Sequence, residues 1–146
     1  MTDRETIQEV VTNVAHFIDH KAWNDLRTLY ADEVETDYTS LFGGEVQKQS
    51  RDALMGAWKT LLTPITTQHL LGPLTVANSA DTATAHCHVR GYHHVKGTQG
   101  GDEWMVAGHY VFELKKKDGR WRISSMTLEA LYQTGNLKLL ELAGGK

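Results

Sequence analysis

The chain has 146 residues, 40% of them hydrophobic and 23% charged, with a formal net charge of -3. Such a length suits one domain around one core, and the slight acidity offers no bulk attraction to nucleic acid or an anionic membrane. Cys87 is the sole cysteine, which excludes an intrachain disulfide. The start, "MTDRETIQEV", is unlike a secretory or mitochondrial leader, and no apolar run approaches the roughly 20 residues that span a bilayer. A cytoplasmic location is expected.

The first element reads as a helix. Thr2-Asp3-Arg4-Glu5 has the pattern of a capping box, and Ile7, Val10, Val11, Val14, Phe17 and Ile18 follow at three- and four-residue spacing. Asp19 lies on the edge of that apolar stripe, whereas His16 and His20 fall on the wet face. "AWNDLRTLY" reads as a short second helix. "VETDYTS" alternates, with Val34, Thr36 and Tyr38 on one side, as a strand does. Ser50 can cap a third helix carrying Leu54, Trp58, Leu61 and Leu62, which Pro64 closes.

From Thr66 to about Leu131 the pattern is of strands and turns. "ANSADTA" and "KKKDGR" read as hairpin turns, and "VKGTQGGDE" as a longer, mobile loop. Trp104, Val106, Tyr110, Phe112 and Leu114 share one face. Trp121 and Ile123 differ in parity from Met126 and Leu128, so a bulge is expected near Ser124-Ser125. "NLKLLELA" reads as a terminal helix or strap. Helices first and a long antiparallel sheet afterwards make an α+β layout. The expected organisation is one domain over residues 1–146, with flexibility at 1–8 and 142–146.

Proton-transfer chemistry needs an acid and a base near neutral pH, and histidine beside a carboxylate supplies both. Asp19 is a carboxylate facing the core, where it needs a partner. The strand Thr82–Val95 alternates: Ala83, Ala85, Cys87 and Val89 face in, so His86 and His88 face out. Continued alternation puts His93 inward. A bulge at Gly91, a common site for one, would put His94 there instead, and the pattern alone does not choose. "HCH" and "HH" can offer a metal two ligands at most on one face, and neither Cys-x-x-Cys nor His-Glu-x-x-His occurs, so no metal is expected. No Gly-x-Gly-x-x-Gly, P-loop or Gly-x-Ser-x-Gly is present either.

The segments "DHKAWNDLRTLYADEVETDYTS", "TQHLLG", "HVRGYHH" and "KKKDGRWRI", in this order and spacing, resemble the SnoaL-like branch of the nuclear transport factor 2-like superfamily. The nearest look is to scytalone dehydratase and its bacterial relatives, including bile-acid dehydratases. The resemblance implies a cone-shaped, cystatin-like α+β fold with three N-terminal helices on a curved, mostly antiparallel sheet. It also implies a cofactor-independent pocket between sheet and helices. The family's helix-edge aspartate falls on Asp19, its first pocket histidine on His69 and its strand tyrosine on Tyr38. Its second histidine falls on His94, at the family separation from His69, which implies the Gly91 bulge. The chain departs from the family at Ile18, where a tyrosine is usual, and at Tyr110, where an asparagine is usual.

Geometry sets a condition on that match. A plain hairpin turning at residues 78–81 pairs His69 with about residue 90, roughly 13 Å short of His94, unless Gly72-Pro73 shifts the register.

These expectations describe a hydro-lyase of the dehydratase kind, acting on a small cyclic or aromatic hydroxy-carbonyl compound. His94, balanced by Asp19, would remove a proton, Tyr38 would hold the enolate oxygen, and His69 or protonated His94 would return a proton to the leaving group. Ile18, Leu54, Trp58, Leu71, Met105, Tyr110 and Phe112 are the candidates for the pocket wall. Two alternatives stand beside it: enolate chemistry of the ketosteroid-isomerase or polyketide-cyclase type, and a non-catalytic ligand-binding or dimerising module. No cofactor, nucleic acid or membrane partner is expected, and family analogy points to a homodimer or homotrimer.

Overall fold

The computed structural model describes residues 1–144. Helix α1 spans Asp3–Asp19 and opens on the expected capping box. Thr2 Oγ1 accepts from the Glu5 amide at 3.1 Å, and the Thr2 amide donates to the Glu5 carboxylate at 2.7 Å. Ile7, Val11, Val14 and Ile18 are buried along its inner stripe, each contributing about 1.5–3 kcal/mol. Residues 3–8 form the first turns of this helix, and Ile7 is fully buried. The helix stops immediately after Asp19, where His20 caps it and Lys21 takes a positive φ of 55°.

The remaining elements follow in chain order: α2 (Trp23–Arg27), β1 (Tyr30–Asp37), α3 (Thr39–Phe42), β2 (Gln47–Ser50) and α4 (Arg51–Leu62). Then come β3 (Thr66–Leu71), β4 (Thr75–Asn78), β5 (Thr82–His94), β6 (Glu103–Lys117), β7 (Arg120–Gly135) and α5 (Leu139–Gly144). The single-turn α3 and the edge strand β2 were not legible in the sequence. Ser50 caps α4 as expected, its hydroxyl accepting from the Ala53 amide at 3.1 Å.

One sheet of seven strands runs β2-β1-β7-β6-β5-β3, with β4 also on β5. All its pairs are antiparallel except β1 with β7. The register of β6 on β7 shifts between Glu113 and Leu114, which leaves Ser124 as the extra residue, where the sequence required one. A second, unforeseen shift between Ala107 and Gly108 leaves Leu131 extra. The two bulges bend the long hairpin so that the sheet curves, and α1, α2 and α4 pack into the curve.

Two local expectations need correction. Strand β5 alternates buried and exposed residues without interruption from Thr82 to His94, so Gly91 carries no bulge. The 95–102 loop is tied down: Val95 N–H donates to Asp102 O at 2.9 Å, and Asn136 Nδ2 donates to Gln99 O at 3.0 Å and Gly101 O at 2.9 Å. The Asp118-Gly119 turn has the positive φ values, 53° and 75°, that a tight hairpin demands. Among the described residues no helix is long and apolar enough to cross a membrane. Of the tail, α5 takes in 142–144, while residues 145 and 146 lie outside the described residues.

Candidate active site

Between the concave sheet face and the helices lies a cavity of ≈ 260 Å³. Its wall is mostly apolar and aromatic, with Ile18, Trp58, Leu61, Trp104, Val106, Tyr110 and Leu128 prominent in it. Short α3 supplies Leu41 and Phe42 on one side, and α5 contributes Leu140. The polar groups facing it are His69, His93, Tyr38 and Tyr110.

His69 is held by Asp19. Register pairs His69 on β3 with Gly91 on β5, close to the partner that a plain hairpin gives. The end of α1 lies over β3 and delivers the Asp19 carboxylate there. Its Oδ1 accepts from His69 Nδ1 at 2.8 Å and from Thr67 Oγ1 at 2.9 Å, and its Oδ2 accepts from the His69 amide at 2.8 Å. A carboxylate at the C-terminal end of a helix meets the negative pole of the backbone dipole, so these donors offset an unfavourable position. Burial alone would raise the Asp19 pKa. The hydrogen bonds from the ring and amide of His69, the charge that ring carries when protonated, and the Thr67 hydroxyl outweigh burial, and the pKa is lowered. Asp19 is therefore ionised at neutral pH, and an ionised acceptor fixes the His69 proton on Nδ1. In the neutral ring, Nε2 is then the nitrogen with the free lone pair.

His93 occupies the second imidazole position. It lies edge-on to His69, with ring centroids 5.9 Å apart and planes at 78°. Its Nδ1 faces the Trp104 carbonyl at 3.3 Å, and its ring packs on Trp104 with centroids 4.4 Å apart. Burial and the neighbouring His69 lower its pKa to about 4, so His93 is neutral at pH 7. His94 points the other way and is exposed. The expectation that His94 enters the pocket and pairs with Asp19 is therefore corrected, because unbroken alternation along β5 puts odd-numbered residues inside.

Gly91 earns its place through space. A Cβ there would lie 3.3 Å from His69 Cδ2, 3.4 Å from His69 Nε2 and 3.4 Å from His93 Cε1. Gly91→Ala is expected to displace the His69 ring by a few tenths of an ångström while the fold survives. Circular dichroism alongside the ring chemical shifts of His69 checks this, and unaltered shifts would contradict it.

Tyr38 stands just past β1 and caps α3. Its hydroxyl donates to Met126 Sδ at 3.7 Å, and a thioether is a weak acceptor. Burial raises the pKa of Tyr38, and burial together with the nearby Tyr38 and Tyr30 raises that of Tyr110. Both stay protonated phenols, able to donate to an oxygen that gains charge.

Of the expected wall residues, Ile18, Trp58 and Tyr110 line the cavity. Four do not. Leu54 and Phe112 are buried in the core behind it, Leu71 sits half-buried near the far end of β3, and Met105 faces the opposite side of the sheet. Met105 has the parity opposite to Trp104 and Val106, so alternation along β6 alone would have excluded it. The same parity would have found Trp104 and Val106. Leu41, Phe42 and Leu140 carried no such signal, because they come from single-turn or terminal helices.

A helix-borne carboxylate bound to a strand histidine thus lies at an apolar pocket between helices and a curved sheet, in an α+β fold. The architecture is the nuclear transport factor 2-like, cystatin-like one. The family model for the SnoaL-like domain matches residues 1–127, and the chain belongs to that family. Among solved structures, it is similar to the Kfla4162 protein of Kribbella flavida: 30% identity, 95% of this chain and 97% of that one, TM-score 0.89. A candidate scytalone dehydratase of Novosphingobium aromaticivorans shares 18% identity over 92% of this chain and 87% of its own, TM-score 0.79. A type 2 hexachlorocyclohexane dehydrochlorinase, LinA, shares 20% over 91% and 88%, TM-score 0.77. No curated protein matches the chain.

Proposed function

We propose that the chain is a cofactor-independent lyase that eliminates water from a small, uncharged cyclic or aromatic hydroxy-carbonyl compound. The observation that carries this reading is the 2.8 Å contact of His69 Nδ1 with Asp19, which leaves Nε2 as a base facing the cavity. Nε2 takes the proton from the carbon next to the carbonyl, and the C–H electrons move into an enolate. Tyr38 and Tyr110 donate to the enolate oxygen. The enolate collapses, the carbon–oxygen bond to the β-hydroxyl breaks, and the imidazolium returns its proton so that water departs. Asp19 offsets the imidazolium charge while it exists. Among the described residues the wall includes no lysine or arginine, so a ligand carboxylate or phosphate would be buried without a counter-charge from them.

The names of two structural relatives, a dehydratase and a dehydrochlorinase, both denote loss of a proton and a leaving group, which agrees with this reading. Return of the proton to a different carbon would make the same site an isomerase, since the enolate is common to both paths. The test is a panel of cyclic β-hydroxy ketones assayed with the wild type and His69→Gln. The substitution is expected to lower kcat by about 10²–10⁴. Equal rates would contradict His69 as the base.

A further inference from the structure

The Asp19 carboxylate has a partner that the reaction above does not use. Thr67 Oγ1 donates to Oδ1, the same oxygen that takes the His69 ring proton. Thr67 is 5% exposed, so its hydroxyl has no easy recourse to solvent and costs free energy unless bonded. It lies two residues before His69 on β3, which turns both side chains to the same face. Opposite it in the register stands His93. Thr67 and His69 thus form a clamp from a single strand on a carboxylate brought by a different element.

We infer that Thr67 is a positioning residue: its hydroxyl fixes the rotation of the Asp19 carboxylate so that Oδ1 meets His69 Nδ1. A carboxylate turns readily about its Cβ–Cγ bond unless both oxygens are assigned. Here the His69 amide holds Oδ2, and the hydroxyl and the ring together hold Oδ1. Loss of the hydroxyl leaves a half-buried anion at the negative pole of α1 with one donor fewer. The carboxyl then takes up a proton more readily, and a protonated Asp19 cannot balance an imidazolium.

The inference rests on Asp19 and His69 acting as a working pair, but its first test does not require turnover. Carboxyl-detected NMR follows the titration of Asp19 in the wild type, Thr67→Val and Thr67→Ser. Valine keeps the shape and removes the donor, and its Asp19 midpoint is expected to rise. Serine is expected to restore the wild-type midpoint. In the kinetics, Thr67→Val is expected to lower kcat about tenfold with KM little changed. The wild-type Thr67 hydroxyl proton gives the same answer without substitution: it should exchange slowly while Asp19 is ionised and quickly once Asp19 is protonated. An unmoved Asp19 midpoint in Thr67→Val, or a fast-exchanging hydroxyl at neutral pH, overturns the inference. A clear shift of the midpoint with no turnover in any variant would uphold the clamp while removing the lyase.

Discussion

Asp19→Asn is expected to lower kcat by about 10²–10⁴ while leaving the fold intact. The size follows from counting acceptors. The carboxylate offers two acceptor oxygens and receives three hydrogen bonds, two on Oδ1 and one on Oδ2. Asparagine offers a single acceptor oxygen and an NH2 group that can only donate. If the oxygen stays toward His69 Nδ1 and Thr67, the NH2 confronts the His69 amide, donor against donor. If it turns to the amide, the NH2 faces Nδ1, and the ring responds by moving its proton to Nε2. The nitrogen that accepts the substrate proton in the proposed reaction then already carries one. Either arrangement also removes the negative charge that stabilises the imidazolium. Steady-state kinetics with thermal unfolding measure both sides of the statement, and a variant of wild-type kcat would contradict it.

The second large effect concerns stability and pH. His93 has an ordinary pKa near 6.5 when the chain is unfolded and about 4 when it is folded. Between those values the unfolded chain binds a proton that the folded chain refuses. Folding stability therefore falls as pH falls through this window, by as much as about 3 kcal/mol in total. Asp19 acts in the same direction at lower pH. Its folded pKa is lowered, so its contribution is present above its unfolded pKa and is lost as pH falls toward the folded one. His93→Phe keeps an aromatic ring against Trp104 and removes the titration. Denaturant unfolding from pH 7 to pH 4 should give a much flatter curve for this variant than for the wild type. Parallel curves would show that His93 does not titrate as its burial requires.

Strand parity explains what the sequence revealed about this site and what it withheld. Asp19 was legible as the last turn of a capped, amphipathic helix, and His69 as a strand residue two positions after Thr67. The resemblance placed both in one pocket but paired Asp19 with His94, and the direct contact with His69 follows from where the end of α1 lies over β3. The choice of His94 came from family spacing, which required a bulge at Gly91. Gly91 is instead a regular strand residue whose missing side chain makes room for two imidazoles. A glycine inside a strand reads the same in either case, since both uses exclude a Cβ. The Ser124 bulge was legible because the inward-facing parity changes across it. At Leu131 the neighbours are exposed or half-buried, and no parity break shows. Part of the cavity wall comes from α3 and α5, elements too short to carry a periodic signal.

The most direct test of the account is the protonation state of the His69 ring, read from its nitrogen chemical shifts in 15N-labelled protein near pH 7. A proton on Nδ1 and a bare Nε2, with that preference lost in Asp19→Asn, is the predicted result. A proton resting on Nε2 in the wild type would mean that the pair cannot act as the base, whatever the shape of the pocket around it.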